Sequence, residues 1–99
     1  MYRILIEFDE ERMKRDGIDI DEAWEQIEQF KEETEDITES SKGCFEAADF
    51  GSMAVMQDML EDEEWIMKYV CRWMLDFDRG KFEDIIEDIR ESGRKCCYE

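Results

Sequence analysis

At the start of the chain the hydrophobic positions alternate, with Tyr2, Ile4, Ile6 and Phe8 on one side and Arg3, Leu5 and Glu7 on the other. Period two in β-branched and aromatic residues predicts a strand over residues 2–8. From Asp19 the period changes. Ile20, Ala23, Trp24, Ile27 and Phe30 recur at three- and four-residue steps, with acids between them. Asp19 stands as N-cap with Glu22 three residues on, so a first helix is predicted there. The same spacing returns in Phe82, Ile85, Ile86 and Ile89. It predicts a last helix from about Lys81 to Ser92, stopped by Gly93.

The stretch Glu61 to Asp78 holds two of the three tryptophans and opens on four consecutive acids. As a helix it buries Trp65, Ile66, Val70, Trp73, Met74 and Phe77. As a strand it would put Trp65, Met67, Tyr69, Cys71, Trp73, Leu75 and Phe77 on one face. Lys68, Arg72 and Asp76 make a polar stripe under either period. About fourteen residues without a turn signal is long for a strand and ordinary for a helix. Acids near a helix start also suit the macrodipole. The expectation is one core helix.

Between these elements the pattern is weaker. Asp9 to Gly17 reads as a polar connection, in which Asp9, Glu10, Glu11 and Asp16 neutralise Arg12, Lys14 and Arg15. Glu35 to Gly43 reads as a loop rich in Ser, Thr and acid. Residues 44–60 stay open. Cys44–Ala47 and Ser52–Met59 form a hairpin around a turn at residues 48–51, or Met53, Met56, Met59 and Leu60 lie on a short helix. Phe45 and Val55 favour the hairpin. Residues 94–99 read as a frayed tail. The order β-α-β-β-α-α predicts a single α+β domain over residues 1–99, a small antiparallel sheet with helices packed on one face.

Charge changes the picture. The chain carries 30 acids against 13 bases, a net −17, yet 42% of its residues are hydrophobic and twelve per hundred are aromatic. That is a folded chain rather than an acidic tail. Between Asp19 and Glu64 there are 17 acids and only Lys31 and Lys42; the remainder is near balance. Such a chain repels nucleic acid and anionic membranes and attracts basic protein surfaces. Neither a secretory leader nor a membrane-length apolar run is visible, and the expected compartment is the cytoplasm.

Candidate chemistry is sparse. There is no histidine, and Cys44, Cys71, Cys96 and Cys97 lack the spacing of a zinc set. Asp76, Asp78, Asp84 and Glu87 mimic part of a calcium loop, but Gly80 and Lys81 stand where a ligand and a glycine are needed. No phosphate-binding glycine loop or nucleophile motif appears. The expectation is a protein that is not an enzyme and takes no cofactor and no metal.

Carboxylates at three- and four-residue steps repeat negative charge about every 5–6 Å along a helix. That density is of the order of phosphates on a nucleic-acid strand. The candidate contacts are Asp21, Glu22, Glu25, Glu28, Glu32 and Glu33 on the first helix. Glu35, Asp36 and Glu39 follow in the loop, and Glu61, Asp62, Glu63 and Glu64 open the core helix. A merely solvated face would show the same residues; scarcity of bases over the segment sets mimicry beside it. A further alternative is a structural or regulatory protein acting through self-association as a homodimer, its acids serving solubility.

In size, acidity and the Trp65-Ile66-Met67, Val70 and Trp73 stretch, the chain resembles small proteins of phages and conjugative elements of gut Firmicutes. That population includes anti-CRISPR proteins, several of them acidic blockers of a nucleic-acid channel. The resemblance implies a setting in which a nucleic-acid mimic, inhibiting a nucleic-acid-binding effector, is useful.

Overall fold

Hydrogen bonding to the N-terminal strand decides how the centre of the chain folds. The computed structural model describes residues 1–78 and 80–98. Its elements run β1 (Tyr2–Phe8), α1 (Glu10–Arg15), α2 (Ile20–Glu33), β2 (Ile37–Ser41) and β3 (Cys44–Ala47). Then follow α3 (Phe50–Glu61), α4 (Glu64–Tyr69), β4 (Val70–Asp76), β5 (Phe82–Asp84) and α5 (Ile85–Glu91). Among the described residues the strands make one five-stranded antiparallel sheet in the order β2-β3-β1-β4-β5. The class is the expected α+β.

The alternation in β1 does what it predicts. Ile4, Ile6 and Phe8 are buried, and their neighbours on that face are Phe45, Leu75 and Trp73. Helices α2 and α3 cover this face, with Ile27, Met53, Met56 and Leu60 buried against it. Trp73 is 0% exposed, and its indole Nε1 donates to Gln57 Oε1 of α3 at 3.1 Å.

The expected core helix from Glu61 to Asp78 is not one element. It is a short helix, α4, running directly into β4, with Val70 already extended at φ −64° and ψ 135°. The stripe of Lys68, Arg72 and Asp76 fits both periods, so only the partner decides. Pairing with β1 through Ile6↔Trp73 and Ile4↔Leu75 supplies backbone bonds that a helix would not have used to fill this face. Length misled because helix and strand meet without a turn residue.

Other expectations shift in the same way. The connection after β1 contains α1, capped by the Asp9 carboxylate. The loop at residues 35–43 contains β2, an edge strand whose ITESS alternation is polar on both faces. It returns to β3 through Lys42-Gly43. Gly43 has φ +84°, and a Cβ there would run into the Ile6 carbonyl oxygen. Residues 44–60 divide the two readings. Cys44–Ala47 is a strand, while Ser52–Met59 lies in α3, N-capped by Asp49. The expected last helix begins as β5, leaving Phe82 59% exposed rather than inward. Ile85 and Ile89 are buried as expected.

The C-terminal segment, expected to fray, is docked as far as Tyr98; Glu99 and Arg79 lie outside the described residues. Cys96 is buried, and the Cys97 N–H donates to Met67 O at 2.8 Å. Arg12 reaches across from α1, its guanidinium donating to Lys68 O and Tyr98 O and standing 4.8 Å over the Tyr69 ring.

Trp73→Ala should therefore destabilise by about 3–5 kcal/mol, the range of large aromatic truncations in cores. Gln57→Leu should cost about 1–3 kcal/mol by stranding the indole N–H. Urea unfolding measures both, and a loss below about one kcal/mol for Trp73→Ala would contradict this core.

Candidate functional site

The surface that carries the acids is built on α2. Asp19 accepts the backbone N–H groups of Asp21 and Glu22 at 3.0 and 3.2 Å, fixing the helix start. Buried Ala23 and Ile27 anchor its back, and Trp24 meets Phe8 edge-on at 5.2 Å between ring centres. At about 100° per residue, Asp21, Glu25, Glu28 and Glu32 fall within an arc of about 60°. Asp21, Glu25 and Glu32 are exposed; Glu28 is half-buried at the border with the β2–β3 hairpin. Glu22 and Glu33, also exposed, lie on the other flank.

The stripe continues past the helix. Thr34 closes α2, its hydroxyl donating to Phe30 O at 3.0 Å. Exposed Glu35 and Asp36 make the turn, Asp36 taking a left-handed φ of 63°, a conformation short polar side chains tolerate. Glu39 lies within β2 rather than in a loop, opposite Phe45 and on the helix-facing side of the sheet.

The two bases of the acidic segment both border this stripe. Lys31 pairs with Glu28 at 3.5 Å, and the Lys42 ammonium sits 5.2 Å from the Trp24 ring centre. Between them the Glu39 and Glu28 carboxyls come together. Burial pushes the Glu39 carboxyl above its ordinary range, and Glu28 raises it further, while Lys31 and Lys42 pull it back. The sequence names these residues but not their meeting, because β2 brings Glu39 back across α2.

Glu61, Asp62, Glu63 and Glu64 do not open a core helix. Glu61 ends α3, Asp62 caps it, Glu63 precedes α4 and Glu64 lies in its first turn. Glu61 is committed elsewhere, accepting from Arg94 Nη1 and Gln57 Nε2 at 3.2 Å each. The structure thus brings Asp21, Glu25, Glu28, Glu32 and Glu39 to one flank and detaches Glu61 from it.

Other chemistry is muted. Burial raises the Cys71, Cys96 and Cys97 thiols, Cys96 up to about 11, which disfavours the thiolate. Among the described residues no group of three or more ligating side chains could hold a metal ion. In the same set, no helix is long and apolar enough to cross a membrane. Comparison with protein-family models, curated proteins and solved structures finds no match to the chain.

The raised Glu39 carboxyl has a consequence for stability. A group whose folded pKa lies above its unfolded value stabilises below the unfolded pKa and loses that contribution as pH rises through the folded one. Glu39→Gln should therefore melt above the wild type at about pH 7, with the gap closing as pH falls below about 4. Thermal melts across that range check it; a variant less stable at neutral pH would show that the Glu28–Glu39 contact is not a repulsive one.

Proposed function

We propose that the protein is an acidic binding module without a reaction of its own, a nucleic-acid mimic that inhibits a nucleic-acid-binding effector by filling its basic cleft. The observation that carries this reading is the flank of α2, where Asp21, Glu25, Glu28 and Glu32 repeat along a helix anchored on its opposite side. Glu35 and Asp36 extend the charge beyond the helix end. A rigid row of carboxylates meets lysines and arginines without first ordering a flexible chain, so less binding energy is lost to entropy. Long-range attraction from a net −17 would also speed encounter with a basic surface. The low thiolate fraction of Cys71, Cys96 and Cys97 agrees with a binding role.

The border with Lys31 and Glu39 limits the contact. Glu28 is tied to the fold, so Asp21, Glu25 and Glu32 are the side chains free to face a partner. Glu25→Lys with Glu32→Lys should leave the melting temperature within a few degrees and abolish capture of basic nucleic-acid-binding proteins from a host lysate. Glu87→Lys with Glu91→Lys, on exposed positions of α5, is the internal control. Proteins captured by the wild type should be released by duplex DNA and by rising salt. Unchanged capture by the α2 variant, or capture indifferent to DNA, would sink the mimic reading.

A further inference from the structure

Helices α2 and α3 cover one face of the sheet; the other is open. On the open face the register sets out three rows across the strands. Glu46, Arg3 and Asp76 form the first, with Arg3 3.4 Å from Glu46 and 3.8 Å from Asp76. Cys44, Leu5 and Met74, all half-buried, form the second, with the exposed Asp84 of β5 beside Met74 at its edge. Glu7 and Arg72, 3.7 Å apart, form the third. A groove of about 740 Å³ adjoins the face between β4 and α5, lined by Arg72, Met74, Ile86 and Arg90 among others.

We infer that this face binds a second copy of the chain, sheet against sheet, about a two-fold axis running along the Cys44–Leu5–Met74 row. The operation leaves each strand over its own counterpart and reverses its direction. Leu5 and Met74 then meet their equivalents on the axis. Arg3 comes opposite Glu7 of the second copy, both exposed, and Arg72 comes over the largely buried Asp76, each contact occurring twice. Over β1 and β4 the face is thus complementary to itself in charge as well as in apolar surface, the condition for an isologous interface. Asp84 at the β5 edge meets its own equivalent, and its carboxylate is engaged by the Glu87 N–H at the start of α5.

Two further arguments favour a second copy over another partner. Two chains of net −17 repel, so they can meet only where local charge is near balance. The open face, with Arg3, Arg72 and the nearby Arg90, is such a surface; the α2 flank is not. The size fits a weak association. Strands of 7, 5, 4, 7 and 3 residues, at about 3.3 Å per residue and about 4.8 Å apart, span on the order of 400 Å² per copy, below the range of tight interfaces and in that of transient ones. Facing sheets about 10 Å apart leave room for the arginine–carboxylate contacts.

This inference does not rest on the mimic reading, and its test is separate. Sedimentation equilibrium of the full chain from about 10 µM to about 1 mM should show the mass rising from 12.0 kDa towards twice that value. Leu5→Lys should lower association at least tenfold. Should that variant fail to fold, Glu7→Lys, whose side chain is 62% exposed, places a lysine opposite Arg3 and serves the same purpose. Glu25→Lys with Glu32→Lys should leave the dimer in place. A monomer at every concentration overturns the proposal. So does a dimer that survives Glu7→Lys and is lost with the α2 variant, since the helical face would then be the contact.

Discussion

Everything in this fold hangs on the pairing of β1 with β4. Six register pairs join them, from Arg3↔Asp76 to Phe8↔Val70, and Trp73 sits buried beside Ile6 in the middle. These strands are separated by some sixty residues, so the pair closes only when the intervening helices have somewhere to pack. Trp73 provides that place: its ring fills the inner face, and its N–H is satisfied by Gln57 of α3. The buried polar pair thus ties helix position to strand register. A one-residue slip of β4 would turn Trp73 out and strand Gln57 inside.

How much of this was legible depended on whether the deciding contact was local. β1 and α2 announce themselves, because alternation and an N-cap are properties of neighbouring residues. Cys44–Ala47 and the helical reading of Met53 to Leu60 were each in view, but not their combination. β4 was not legible as a strand. Lys68, Arg72 and Asp76 fit both periods, and the choice is made by β1, some sixty residues away. β2 was hidden for a different reason: an edge strand with Thr38, Ser40 and Ser41 turned to water carries no hydrophobic signal. The docked tail depends on Arg12, whose role in holding Lys68 and Tyr98 carbonyls has no sequence signature.

The candidate site shows the same division. Helical spacing places Asp21, Glu25, Glu28 and Glu32 together, which a sequence can reveal. That Glu39 returns to meet Glu28, and that Glu61 turns away to Arg94, follows from the sheet and from α3. Charge density along one helix is local information, whereas the charge environment of a single carboxylate is tertiary.

The two surfaces of the molecule solve opposite electrostatic problems. On the helical side like charges stand side by side, tolerable because water and salt screen exposed carboxylates. On the sheet side Arg3 lies between Glu46 and Asp76, and Glu7 lies beside Arg72, so these charges have their opposites within the same face. These surfaces lie on opposite layers of the fold, so occupying one leaves the other free. A dimer closed through its sheets would carry an α2 helix on each outer layer, displaying two acidic rows at a fixed separation. Two linked rows bind a partner with two basic sites more tightly than either alone, provided that the spacing fits. Self-association and nucleic-acid mimicry, posed from the sequence as competing explanations of one composition, are in this architecture compatible uses of different faces.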